Sequence, residues 1–301
     1  MGFSAALAIL ATVFFATANV ASKRGVQAVS PLAGIFLSLP AALVVSGIGV
    51  LVSGPVTPTW PAVATFAAVG LLTPGLGRLT SFRGMQRLDT SVHVPVQSSA
   101  HPITAVLLSY VVLREEVGAM RLVGIGAVLA GVWLISRTMA SRPPQLAYET
   151  ERSRRISGRT ALMFPIATGM CYGVADIVRR TGMQMMEAAA FGTMVSVASA
   201  LVAWATLVAV SPLLRAELHF GRGGRRWFVV HGVINALAIL CVFAALAQGD
   251  VSVVSPIIAS QPFAMMLLAH VALRDLERVT PAKVVGSLLI VGGTSAIVVT
   301  A

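Results

Sequence analysis

The sequence predicts an all-α membrane protein of ten transmembrane helices, arranged as two inverted five-helix repeats. The first observation is composition: 56% of the 301 residues are hydrophobic, only 11% are charged, and the mean hydropathy is +0.86. Water-soluble domains do not approach these values, so the lipid bilayer is the expected solvent. Apolar runs of about 20 residues cross a bilayer as helices, because lipid offers backbone amides no other hydrogen-bond partner.

The second observation is the spacing of the apolar runs, which predicts the individual helices and the boundary between two halves. The predicted spans are 3–21, 32–52, 60–80, 91–112, 119–137, 160–178, 189–210, 227–247, 251–272 and 282–300. Segment 138–159 is rich in Pro, Glu and Arg, which is typical of a linker. The sequence therefore predicts a first repeat at 1–137, a polar linker at 138–159 and a second repeat at 160–301.

The third observation is a set of residues that recurs in the two halves with one insertion or deletion. The first-half set is Asp89, Ser91, Val92, Pro95, Pro102, Leu113, Arg114 and Glu115; the second-half set is Asp250, Ser252, Val253, Pro256, Pro262, Leu273, Arg274 and Asp275. Because each half holds an odd number of predicted helices, the two copies must have opposite orientations across the membrane. Many secondary transporters are built from such inverted repeats.

Three stretches carry a resemblance to a known family. They are FFATANVASKRG in helix one, DTSVHVPVQSSAHPITAVLLSYVVLREEV around helix four, and GDVSVVSPIIASQPFAMMLLAHVALRDLERVT around helix nine. With these motifs the sequence resembles the drug/metabolite transporter superfamily, in particular its EamA-type ten-helix branch. The resemblance implies a secondary transporter for a small polar or amphipathic metabolite. A drug or lipid efflux carrier of the same superfamily and a non-transporting membrane scaffold are the alternatives.

Polar residues inside apolar runs are the candidate substrate-binding residues, because each of them is costly in a bilayer. Gln97 and His101 are four residues apart and share a face of helix four, and Pro102 follows directly. His101 and Pro102 correspond to Gln261 and Pro262 in helix nine. Since proline frees a backbone carbonyl that can face a solute, we expect these five residues to form a site at the repeat interface. The alternative is that the His and Gln side chains only join helices by hydrogen bonds.

Further polar residues could line the same cavity. Asn19, Tyr172, His231 and Asn235 lie in helices one, six and eight, where each could also be a packing contact. Asp176 is the only acid well inside an apolar run, so it is the candidate for proton coupling, and a structural ion pair with Arg179 or Arg180 is the alternative.

Other histidine, arginine and glycine residues are expected to have structural roles and not to bind substrate. His93, His270 and Arg78 fall near predicted helix ends and are expected to meet interfacial water. Gly124, Gly126 and Gly131, in helix five, and Gly292 and Gly293, in helix ten, are expected at close helix contacts.

Several function classes lack their sequence signals. No magnesium-binding acid pair, zinc motif, plausible nucleophile with a base, or ATP-binding loop is present, so we expect no enzyme activity, no cofactor and no metal. The net charge of +11 lies mainly between apolar runs, which disfavours nucleic acid as a partner. The expected partners are a small-molecule substrate and the lipid bilayer, and the protein is expected to be a monomer or homodimer.

The distribution of basic residues predicts the orientation. Eighteen of the 22 Lys and Arg residues follow odd-numbered predicted helices and four follow even-numbered ones. The positive-inside rule then places both termini outside the cell (inner) membrane, whereas relatives of the resembled family usually keep both termini in the cytoplasm.

Overall fold

The chain folds into a bundle of helices. The computed structural model describes residues 2–108, 119–136, 158–249, 251–259, 261–262, 264–265, 268 and 280–299. The helices are α1 (Gly2–Gly25), α2 (Pro31–Ser53), α3 (Trp60–Arg87), α4 (Thr90–Leu108), α5 (Ala119–Ser136), α6 (Met163–Met185), α7 (Ala189–Val210), α8 (Arg225–Gln248), α9 (Val251–Ala259) and α10 (Pro281–Val299). A 3₁₀ turn, Gly158–Leu162, precedes α6, and a short helix, Pro212–Ala216, follows α7. Residues 261–262 are also helical.

Membrane insertion is supported by the length of these helices and by the character of their surface. Within the described residues, α1, α2, α3, α6, α7 and α8 are long and apolar enough to span a bilayer. Their outward side chains are apolar, as at Leu51, Val52 and Trp60, which are 83%, 82% and 86% exposed. Arg78 and Asp176, in contrast, are 3% and 2% exposed. A protein with apolar residues outside and charged residues inside is suited to lipid as its solvent.

Helix α3 is longer than predicted, and this difference corrects the expectation for Arg78. The sequence predicted its end near residue 80, but it continues to Arg87 through a π-helical segment, Leu71–Gly77, that contains Pro74. The wider π turn accommodates a proline whose missing amide would otherwise interrupt the helix. Arg78 therefore lies inside the bundle and not at the membrane edge. His93, on α4, is also completely buried, so its predicted contact with interfacial water is wrong.

Helices of the first half pack against helices of the second half in reciprocal pairs. Helix α1 packs on α8, and α6 packs on α3. Helix α4 packs on α6, and α9 packs on α1. Helix α5 packs mainly on α10, and α2 contacts both α7 and α8. The central helices α1, α3, α4, α6, α8 and α9 consequently surround the middle of the bundle.

Buried aromatic rings hold the central helices together. Phe82 of α3 contacts Phe228 of α8, with ring centroids 4.8 Å apart, and Phe66 contacts Phe243 of α8 at 5.7 Å. Both pairs are edge-to-face, the geometry that ring quadrupoles favour. The two pairs join α3, of the first half, to α8, of the second half.

The close helix contacts predicted for glycines of α5 and α10 are found for some of these glycines and not for others. A Cβ atom at Gly131 would lie 2.6 Å from the carbonyl oxygen of Gly286, and one at Gly293 would lie 2.6 Å from that of Gly124. Gly126 and Gly292 face open space, so the expectation for these two residues is wrong.

Several sequence predictions lie outside the described residues. They concern the repeat residues Leu113, Arg114, Glu115, Asp250, Leu273, Arg274 and Asp275, most of the 138–159 linker, and His270.

Candidate functional site

Two adjoining cavities occupy the centre of the bundle. The first encloses about 420 Å³ and the second about 290 Å³, each measured out to its open mouth. Both are lined by Phe15, Arg78, Tyr172 and Asn235. The central site is therefore defined here as these two cavities together.

A buried carboxylate joins three helices at the first cavity. Oδ2 of Asp176, on α6, lies 2.6 Å from Nε2 of His101 on α4, and it accepts a hydrogen bond of 2.6 Å from Oγ of Ser255 on α9. Oδ1 accepts a hydrogen bond from the guanidinium of Arg179, one turn further along α6. All four residues are at most 4% exposed. A buried carboxylate is tolerated when it is paired and hydrogen-bonded in this way.

Two glycines bring α4 and α6 close enough for this contact. A Cβ atom at Gly169 would lie 2.4 Å from the carbonyl oxygen of Gln97, and one at Gly173 would lie 2.7 Å from that of His101. Since the obstacles are backbone atoms, a side chain here would push the helices apart. The close approach also sets the ring centroids of Tyr172 and His101 6.1 Å apart.

Arg78 places a positive charge at the junction of the two cavities. Its guanidinium donates hydrogen bonds to Oδ1 of Asn235, on α8, and to Oγ of Ser38, on α2, the latter at 3.4 Å. Neither partner carries a charge. Arg83, further along the same helix, instead forms an ion pair of 2.8 Å with Glu217 at the surface.

Amide and imidazole side chains line the second cavity. Oε1 of Gln97 lies 3.1 Å from Nε2 of His93, and Nδ1 of His231 lies 2.9 Å from the carbonyl oxygen of Ala18. Because that carbonyl can only accept, Nδ1 of His231 carries the hydrogen, and in neutral imidazole Nε2 is then an acceptor. This Nε2 atom and Nε2 of Gln261 are buried without a hydrogen-bond partner. Unpartnered buried polar atoms are costly, so they mark positions where a ligand can bind.

The structure brings eight of the ten predicted site residues to the central site. Asn19, Gln97, His101, Tyr172, Asp176, His231, Asn235 and Gln261 all line one or both cavities. Pro102 and Pro262 are buried in helical segments and are not among the lining residues of either cavity. That any of these residues binds a solute stays a prediction.

Sequence reasoning missed the two side chains that most alter the character of the site. The sequence predicts Arg78 near a helix end and gives no prediction for Ser255. A signal for Arg78 was present, because Leu79, Phe82 and Met85 continue an apolar helical face beyond the predicted end of α3. Ser255 has no comparable signal, since its role depends on how α9 packs against α6.

Comparisons with known proteins agree with this architecture. No curated protein matches the sequence. One similar solved structure is a crystal structure described only as that of a protein. Its sequence is 15% identical to this one, and the match covers 97% of this chain and 95% of that chain. The TM-score of 0.65 shows that the two share a fold. The EamA-like transporter family matches residues 2–137 and 159–299. Because this match covers most of the sequence, the chain belongs to the EamA-like transporter family, a branch of the drug/metabolite transporter superfamily.

Proposed function

We propose that this protein is a secondary transporter that moves a small polar or amphipathic metabolite across the membrane by alternating access. The observation that carries the proposal is the position of the central site. Its lining comes from both halves: from α1, α3 and α4 of the first, and from α6, α8 and α9 of the second. Gln261, just after α9, also belongs to the second half. A site shared by two halves becomes accessible from one side and then the other when the halves rock against each other.

The proposal includes ten transmembrane helices in two inverted repeats. It is supported by the reciprocal packing of the halves, in which α1 on α8 has its counterpart in α6 on α3. A second pair of contacts supports it too. Lys23, near the end of α1, donates to the carbonyl oxygens of Met85 and Leu88 at the end of α3. Arg180, near the end of α6, donates to those of Leu246 and Gly249 at the end of α8.

Proton coupling, within this proposal, uses the His101–Asp176 pair. The two side chains lie 2.6 Å apart and line the first cavity, so a proton held between them is within reach of a bound solute. Helices α4 and α6 belong to different halves, and a change in the protonation of the pair would alter the contact between those halves.

The polar lining favours this function over lipid or drug efflux. A carrier for an apolar substrate is expected to have an apolar cavity open to lipid, whereas the central site contains buried arginine, aspartate, histidine and glutamine side chains. A scaffold without transport activity would have no use for a buried polar cavity shared by the two halves.

The test is counterflow of a pooled, labelled metabolite library in proteoliposomes, with and without a pH gradient. We expect the wild type to exchange a few solutes and the His101→Ala, Gln261→Ala double variant to exchange them at least about tenfold more slowly. Two lost hydrogen bonds of about 1 kcal/mol each are sufficient for that effect.

The matched control is the double variant His219→Ala, Gln27→Ala, which removes the same residue types outside both cavities. It should exchange solutes at the wild-type rate. Equal loss in the two double variants would contradict the assignment of the central site. No flux of any solute through folded wild-type protein would contradict the transporter proposal and favour a lipid substrate or a scaffold.

We propose in addition that both termini lie outside a cell (inner) membrane. Since Arg78 and Arg179 are buried at the central site, seventeen of the eighteen basic residues remain on the predicted cytoplasmic side, against three of the four on the other. The positive-inside rule therefore still predicts the same orientation. We expect alkaline phosphatase fused after Ala301 to be active in a bacterial host and green fluorescent protein at the same position to be dark. A fluorescent fusion would place the C-terminus in the cytoplasm instead.

A further inference from the structure

The positive charge of Arg78 has no negative partner among the described residues. Arg78 is 3% exposed, and both of its hydrogen-bond partners, Asn235 and Ser38, are neutral. Asp176 lines the first cavity with it, but that carboxylate is engaged by Arg179 and His101.

The other acidic residues that the structure describes lie elsewhere. Asp89 pairs with Lys283 at 3.0 Å, Glu217 pairs with Arg83, and Glu187 is exposed. The central site therefore holds one positive charge that these side chains leave uncompensated.

A buried charge without a counter-charge is costly, and the cost falls when an anion binds next to it. We propose that the substrate is a small organic monoanion whose carboxylate pairs with the guanidinium of Arg78. This inference rests on the proposed function and names the substrate class of the same site. Arginine suits this role because its planar fork of N–H donors matches the two oxygens of a carboxylate.

The charge balance favours a carboxylate over a phosphate ester. A phosphate monoester carries a charge of about −1.5 to −2 at neutral pH and would need a second cation for neutrality. The second guanidinium that lines the central site, that of Arg179, is already paired with Asp176. A single available positive charge therefore matches a single negative charge.

The remaining lining describes the rest of the substrate. In the second cavity, Nε2 of Gln261 is an unpartnered donor, and Nε2 of His231 is an unpartnered acceptor, both in residues at most 4% exposed. They suit a substrate that carries one further polar group able both to donate and to accept a hydrogen bond, such as a hydroxyl. The first cavity presents apolar side chains, among them Ile239, Val242 and Ile258, to an apolar body.

The experiment is counterflow with a labelled library in which each carbon skeleton is present as a carboxylate, a primary amide and a phosphate monoester. We expect the wild type to exchange carboxylates in preference to both analogues. Arg78→Gln should lower the carboxylate-to-amide flux ratio at least about tenfold, because it removes the charge and keeps hydrogen-bonding groups. Arg78→Lys should retain part of the preference, because it keeps the charge and loses the fork.

Arg83→Gln is the matched control, since it removes an arginine of the same helix that is paired at the surface, and it should leave the ratio unchanged. A ratio of fluxes does not depend on how much protein folds, so a lower yield of Arg78→Gln would not obscure the result. Equal flux of amides and carboxylates, a preference for phosphate esters, or an unchanged ratio in Arg78→Gln would overturn the anion assignment while transport itself stands. No flux of any library member would count against the proposed function.

Discussion

Asp176→Asn is expected to destabilise the protein by about 3–5 kcal/mol and to abolish uptake driven by a pH gradient. The substitution leaves Arg179 buried without its counter-charge, and breaking a buried pair in this way is among the most costly single changes. It also removes the carboxylate that hydrogen-bonds to His101 and Ser255, so the contact between α4, α6 and α9 is weakened. Thermal unfolding in detergent and uptake in proteoliposomes measure the two effects.

Two further variants separate charge from packing in this prediction. Asp176→Asn combined with Arg179→Gln should recover part of the lost stability, because no buried charge is then left unpaired, but it should not recover uptake. Glu217→Gln removes the acid of the surface pair with Arg83. Because the Glu217 side chain is 51% exposed, this change should cost at most about 1 kcal/mol. If Asp176→Asn keeps both wild-type stability and uptake, the cluster has neither the structural nor the coupling role.

The helices could be predicted from the sequence because the solvent is lipid. A bilayer requires long apolar runs whose backbone amides are hydrogen-bonded within the helix. Such runs can be identified in the sequence without any knowledge of packing. Helix α7 has the predicted bounds, and α2 and α8 differ by only one or two residues at each end. The errors are at the polar ends of α1, α3 and α6, where charged residues continue the helix into the protein interior.

Those charged residues are also where the prediction of the site was incomplete. A hydropathy argument treats an arginine as a mark of the membrane edge, which is true only if nothing inside the bundle can bind it. Asn235 and Ser38 supply hydrogen bonds to Arg78, and Pro74 allows the π segment that continues α3 to that position. Those hydrogen bonds join distant segments of the chain, and one sequence does not reveal such contacts.

The candidate residues were found because polar groups in apolar helices are few. His101, Gln97 and Asn235 stand out against Leu, Val and Ile, and their cost in a bilayer implies that they face the interior. The identity of their partners could not be read in the same way. Asp176 was predicted either as a proton carrier or as a member of an ion pair, and the structure places it in an ion pair that also lines a cavity.

Gly169→Ala is expected to destabilise the protein by about 1–3 kcal/mol and to slow solute exchange, although alanine is the better helix former. The added Cβ atom would lie 2.4 Å from the carbonyl oxygen of Gln97 and 2.9 Å from the backbone nitrogen of His101. Backbone atoms in a packed helix cannot yield as a flexible side chain does, so α4 must move away from α6. That movement lengthens the contact between His101 and Asp176.

Gly126→Ala is the matched control, because a Cβ atom at Gly126 meets no other atom within 4 Å. There the higher helix propensity of alanine should raise stability by about 0.5–1 kcal/mol and leave solute exchange unchanged. Unfolding temperature and counterflow rate are measured for both variants. Opposite shifts in unfolding temperature would show that the separation of α4 and α6, and not the propensity of either helix, controls the central site. If both variants gain stability, α4 and α6 can adjust around a methyl group, and the close approach is not what holds His101 against Asp176.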